Sequence, residues 1–174
     1  MEIGLYPLLF FIPMATKEKN LSSFEKEVLD VSAKRFGIIV SEWNTDVTES
    51  LYEGALSTLI EMGVSKENIM RTDVPGSYEL TTAAQWVAQK SEIDCVICLG
   101  CVIQGETRHF DFICDAVAQG IKDVSLKYDK PVIFGVLTTD NKQQALDRAG
   151  GKHGNKGDEA AYTAVKMVAL KDSL

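Results

Sequence analysis

The sequence predicts a three-layer α/β sandwich built around a four-stranded parallel sheet, on three observations. Four short apolar runs, at residues 37–40, 69–74, 95–99 and 132–137, alternate with amphipathic stretches of helical period. Each intervening stretch is long enough for a right-handed crossover, which places the strands parallel and the helices on both faces. No composition shift, long linker or internal repeat divides the chain, and 174 residues with 45% hydrophobic content suit one core.

The elements follow in order. The first strand leads to Asp46-Val-Thr-Glu49, a capping box predicted to open a helix with Val47, Leu51, Ala55, Thr58 and Met62 facing inward; Gly63 ends it. The second strand stops at Pro75-Gly76. Ser77 is then predicted to cap a helix that turns Leu80, Ala83, Ala84, Val87 and Ala88 to the core. The third strand precedes a helix over 107–128, with Ile113, Ala116, Val117, Gly120, Ile121 and Val124 inward. After the fourth strand, Asp140 and Gln143 read as a capping box for a short helix to Arg148. Beyond the Gly150-Gly151 break, a last helix over 156–170 presents Ala161, Ala164, Val165 and Val168.

Residues 36–174 are predicted to form the domain, with residues 1–35 an extension or arm, partly disordered. The apolar run 5–14 follows Glu2, lacks basic residues, contains Pro7 and Pro13 and ends without a clear cleavage site. It is too short for a bilayer span, so an upstream extension is expected, with Met14 as a candidate start and no membrane partner. A net charge of −7 and no basic block argue against nucleic acid. Any anionic substrate must therefore meet local positive charge. Cys95-x-x-Cys98-x-x-Cys101 resembles a ligand cluster, but strand geometry turns Cys98 away from the other two. Buried, reduced thiols are expected, as in a cytoplasmic protein, and no metal.

Ligands of parallel sheets bind at the carboxyl ends of the strands, where this chain's unusual residues lie. The run Leu99-Gly-Cys-Val-Ile-Gln-Gly-Glu-Thr-Arg-His-Phe-Asp111 passes from strand through a glycine turn into a helix with His109 in its first turn. Unpaired N–H groups there suit an anion, phosphate above all, and an imidazole moves protons both ways near neutral pH. The segment reads either as a corner for a phosphorylated small molecule or as an ordinary turn with a solvated histidine. Trp43 and Tyr78 stack on a flat heterocycle or fill a core or interface. Glu79 binds polyol hydroxyls or answers a helix dipole, and Arg148 clamps a phosphate or answers a helix C-terminus. The loop 150–157 carries Lys152 and Lys156 without Walker spacing. Nucleophile-elbow, His/Glu metal and Gly-x-Gly-x-x-Gly motifs are missing, so covalent, metal and dinucleotide mechanisms lack their parts.

Taken together, five segments resemble the lumazine synthases: Trp43-Asn44; Val74-Pro-Gly-Ser-Tyr-Glu-Leu80; the run from Leu99 to Asp111; Pro131-Val-Ile-Phe-Gly-Val136; and Arg148-Ala-Gly-Gly-Lys-His-Gly-Asn-Lys-Gly157. They occur in that family's order, from about Phe36 to the C-terminus. The resemblance implies a flavodoxin-like sheet and the penultimate step of riboflavin biosynthesis, without a cofactor. In that step 5-amino-6-(D-ribitylamino)uracil condenses with 3,4-dihydroxy-2-butanone 4-phosphate to give 6,7-dimethyl-8-ribityllumazine. It further implies that Trp43 stacks on the pyrimidine beside Asn44, and that Ser77, Tyr78 and Glu79 line the ring and ribityl site. Backbone groups of Cys101, Val102 and Ile103 frame the pyrimidine; Glu106 and Thr107 offer N–H groups to phosphate; His109 transfers protons. Phe134, Arg148 and Lys156 match positions contributed by a neighbouring subunit, with Arg148 on phosphate.

Departures from the pattern are Trp43 for phenylalanine, Cys101 for threonine, Gln104 for a basic residue, and Glu106, a carboxylate beside the expected phosphate that Arg108 is placed to balance. A shared site implies a homo-oligomer, at minimum a pentamer. The compact loop after Arg148 points to a 60-subunit shell, with the segment before Phe36 adding as an edge strand on a neighbour. Association with riboflavin synthase is a further implied partnership. The competing reading is a flavin- or lumazine-binding shell protein without catalysis. A flavin module, however, would want a serine/threonine-rich phosphate loop where Glu42-Trp-Asn-Thr-Asp46 stands.

Overall fold

The structure, a computed structural model, describes residues 29–174, so the expectations for residues 1–28 lie outside the described residues. Four parallel strands, β1 (Phe36–Ser41), β2 (Ile69–Val74), β3 (Cys95–Ile103) and β4 (Val132–Thr139), form one sheet in the order β2-β1-β3-β4. Period-two alternation divides their side chains between two cores. Phe36, Ile38 and Val40 pack with Cys95, Ile97, Leu99 and Cys101 under α1 (Thr45–Glu61) and α5 (Lys156–Ser173). Ile39, Val96 and Cys98 face α2 (Leu80–Ala88) and α3 (His109–Tyr128). The expected three layers are therefore present. The cysteines divide as predicted, Cys98 in one core and Cys95 and Cys101 in the other. Val31, ahead of the first strand, is also buried in the α1/α5 core.

Helices α1 and α5 touch backbone to backbone: a Cβ at Gly157 would collide with the Leu51 carbonyl. Between β4 and α5 lie a short helix, α4 (Lys142–Leu146), and a hairpin of β5 (Ala149–Gly151) and β6 (Gly154–Asn155). That hairpin was not predicted; its strands are too short to carry a period. No helix among the described residues is long and apolar enough to cross a membrane.

Four boundaries differ from expectation. Helix α1 opens after Asn44, which adopts the left-handed region (φ 63°), and not at a capping box. Asp46 lies inside the first turn and pairs with Lys142 at 2.8 Å. Ser77 does not cap α2; its hydroxyl is buried without a partner among the described residues. Helix α3 starts at His109, two residues later than predicted, and the α4 cap is Asn141 in place of Asp140. There the Asn141 side chain accepts from the Gln144 N–H at 2.9 Å, while the Gln144 side chain accepts from the Asp140 N–H at 3.1 Å. On α1, Thr48 and Leu59 are also buried, while Met62 packs half-buried against the core as expected and Thr58 is only half-buried.

Candidate active site

Strand β3 outruns its neighbour. Its pairing with β1 ends at Val40–Leu99, whereas pairing with β4 continues to Ile103–Thr139. Beyond Leu99 the flank of β3 toward β1 has no strand partner, so its backbone groups are available to side chains or a ligand. The loops after β1 and β2 fold into this gap. Asn44, held left-handed as asparagine tolerates, donates from Nδ2 to the Cys101 carbonyl at 3.1 Å. That bond fixes the loop and leaves the adjacent Trp43 ring 72% exposed. The loop after β2 approaches because position 100 is glycine. A Cβ there would stand 2.7 Å from Ser77 Oγ and 2.9 Å from Leu80 Cδ1.

The result is a cavity of about 770 Å³ with Trp43, Asn44, Ser77, Tyr78 and Glu79 on one side and Cys101, Val102, Ile103, Thr107 and His109 on the other. Its size suits a heterocycle with a polar tail. Tyr78 is more than half exposed, and Ser77 Oγ has no partner among the described residues, which leaves it a hydrogen bond to offer. Burial pushes the Cys101 thiol up to about 11, so it stays protonated and is no nucleophile. At the far wall α3 begins beside the cavity, and its N-cap Arg108 makes no side-chain cap bond, so the dipole of its N-terminus bears on that wall. Thr107 Oγ1 accepts from the His109 N–H at 3.4 Å. Arg108 turns to Asp111 at 3.4 Å and not to Glu106. Glu106 is exposed and lines neither concave surface.

Phe134, Arg148 and Lys156 lie elsewhere, on a groove of about 610 Å³ along edge strand β4 and helix α5. Phe134 is 42% exposed. Arg148 Nη1 donates to the Gln144 carbonyl at 3.0 Å and has no carboxylate partner among the described residues. Lys156 bonds Glu159 at 2.5 Å. Sequence reading missed Glu159, which its spacing of three from Lys156 at a helix start would have revealed. It also missed Phe110 and Ile113, which supply apolar cavity wall.

An α/β enzyme for a small molecule with a planar part and an anionic part is the class these features define. An aromatic platform, an unpaired hydroxyl, a helix start and an imidazole share one cavity, while Arg148 stands on a different surface. The chain belongs to the 6,7-dimethyl-8-ribityllumazine synthase family, whose family model matches residues 33–172. It is 65% identical over 156 residues to the 6,7-dimethyl-8-ribityllumazine synthase of Cytophaga hutchinsonii, covering 90% of this chain and 98% of that one. It is 55% identical over 156 residues to the enzyme of the same name from Parabacteroides distasonis, covering 89% and 98%. To that of Flavobacterium johnsoniae it is 54% identical over 160 residues, covering 91% and 84%.

Proposed function

We propose that the protein condenses 5-amino-6-(D-ribitylamino)uracil with 3,4-dihydroxy-2-butanone 4-phosphate, giving 6,7-dimethyl-8-ribityllumazine with release of phosphate and water, a step of riboflavin biosynthesis. The amine attacks the ketone, an imine forms, phosphate leaves and the ring closes. No cofactor takes part. Holding both substrates in one cavity supplies much of the acceleration, and proton transfer by His109 adds about 10²-fold.

Trp43 stacks on the pyrimidine beside Asn44 and Tyr78. Ser77 and Glu79 bind ribityl hydroxyls, and the open backbone of Cys101, Val102 and Ile103 pairs with the ring edge. The N–H groups of Glu106 and Thr107, with the α3 start, receive phosphate; the Glu106 carboxylate stays outside the cavity wall. Phe134, Arg148 and Lys156 of a neighbouring subunit close the open side and complete the phosphate site. The observation that carries this reading is the separation of the expected residues onto two concave surfaces of one chain, with no lining residue in common.

The assembly is a pentamer at minimum, and the compact β5–β6 hairpin favours a 60-subunit shell. Residues ahead of Phe36 add as an edge strand on a neighbour, association with riboflavin synthase follows the family, and reduced buried thiols suit the cytoplasm. The test is direct: purified protein is mixed with both substrates and lumazine fluorescence is followed. Product formation supports the proposal. Normal assembly without product would leave only a binding or shell role.

A further inference from the structure

The corner that carries Arg148 is held by a residue outside both concave surfaces. Asp147 ends α4 and is 9% exposed. Its Oδ1 accepts from Gln143 Nε2 at 2.9 Å, on the preceding helix turn. Its Oδ2 pairs with Lys152 Nζ at 2.9 Å, in the hairpin tip. Its carbonyl accepts from the His153 N–H at 2.8 Å. Gly151 closes over the same backbone; a Cβ there would stand 2.7 Å from Asp147 Cα and 2.8 Å from the Leu146 carbonyl.

The hairpin base is tied to α1, Ser50 Oγ donating to the Ala149 carbonyl at 2.5 Å and Asn155 Nδ2 to the Ser50 carbonyl at 2.8 Å. The tip, residues 150–154, buries no side chain, and its polar contacts back to α4 are made to Asp147, by Lys152 and by the His153 N–H. Lys152, then Gln143, hold the Asp147 carboxyl below the usual carboxylate range, so it is ionised at neutral pH. Arg148 follows directly. Its N–H bonds the Ala145 carbonyl at 3.0 Å, and its carbonyl accepts from the Lys156 N–H at 2.8 Å. The geometry of this corner therefore sets where both cations stand on the groove.

We infer that Asp147 is a positioning residue for the phosphate half of the site, aiming Arg148 by clamping the hairpin tip to α4. The inference rests on Arg148 binding phosphate. It is tested on the assembled full-length protein with Asp147→Ala, Asp147→Asn, Lys152→Ala, Arg148→Ala and the Asp147→Ala/Arg148→Ala double variant. Each is measured for KM toward both substrates and for competitive inhibition by inorganic phosphate. Asp147→Ala raises KM for the phosphorylated ketone about tenfold, as misplacing a binding group does, and weakens phosphate inhibition equally. KM for the amine does not move. Asp147→Asn keeps the Gln143 bond and loses the Lys152 attraction, so its effect is smaller. In the Arg148→Ala background the Asp147 substitution adds nothing, the signature of action through Arg148.

Equal effects on the two KM values, or an additive loss in the double variant, overturn the inference. An Arg148→Ala variant with unchanged phosphate inhibition overturns instead the reading of Arg148 on which it rests. Should Asp147→Ala fail to assemble, exposed Lys152 decides: Lys152→Ala must raise the same KM selectively, and an unchanged value refutes the clamp.

Discussion

Two crippled variants, mixed, should make an active enzyme. His109 stands in the cavity at the end of β3, Arg148 on the groove beyond β4, and these surfaces share no residue. A reaction that uses both must take them from two copies. Alone, His109→Ala loses general acid–base help, about 10²-fold. Arg148→Ala loses a charge-assisted bond to phosphate, about 1.5–3 kcal/mol, or roughly ten- to a hundredfold in rate below the KM of the phosphorylated ketone. In a ring assembled at random from equal parts, a site is intact when one neighbour supplies His109 and the other Arg148, which is about one site in four. The mixed oligomer should thus recover about a quarter of the wild-type rate per subunit, well above either parent. Co-refolding the two variants at a series of ratios and following lumazine fluorescence should trace a parabola peaking at equal parts. A straight line between the parental rates would mean that both residues serve from the same chain, and the divided-site argument would fail.

Other outcomes follow from single contacts. In a Trp86→Phe background, emission of the exposed Trp43 should be quenched by a bound pyrimidine analogue; unchanged emission removes the stacking role. Leu51, fully buried between α1 and α5, should cost about 2–5 kcal/mol when truncated to alanine, measured by denaturant unfolding. Gly157→Ala should also destabilise, by about 1–3 kcal/mol or more, because its Cβ meets backbone that cannot yield. Arg71, bonded to Glu49 and Asp73 and lying 4.2 Å over the Tyr52 ring, holds the Glu49 carboxyl below its ordinary value of 4.5. A depressed carboxylate stabilises above that value and loses its contribution as pH falls through the folded pKa. Arg71→Ala should therefore flatten the acid limb of the stability–pH curve below about pH 5, modestly for so exposed a pair.

The layers were legible because β-strand and helix periods alternate cleanly, and β2 was placed residue for residue. The end of β3 was not. Gly100 reads as a turn, yet the strand runs on to Ile103 because β4 pairs with it; the glycine is there to admit Ser77 and Leu80. Caps slipped by one or two positions where several cap-forming residues stand in a row. Among Asn44, Thr45 and Asp46, the choice is made by the Cys101 carbonyl and by Lys142, both distant in sequence. Glu159 looked like any acidic residue in a first helical turn, and Asp147 like a helix-end carboxylate. The partner of Glu159, Lys156, was within local reach at a spacing of three, whereas that of Asp147, Lys152, depends on how the hairpin folds back.

The resemblance already assigned Phe134, Arg148 and Lys156 to a neighbouring subunit, but why they stand apart from the other candidate residues was not legible, and the reason is topological. Strand β3 is central and overhangs β1, so its free backbone flank must be filled, and the loops carrying Trp43 and Ser77 fill it. Strand β4 ends the sheet, so Phe134 on it and Arg148 beyond it look outward, away from that gap. In this strand order Arg148 lies on the groove of edge strand β4, which eight residue pairs hold to β3, and His109 lines the separate cavity at the end of β3. Chemistry that needs an imidazole and a guanidinium on one phosphorylated substrate is therefore chemistry between copies. The order β2-β1-β3-β4, with β4 at the sheet edge, favours that reading as much as any side chain does.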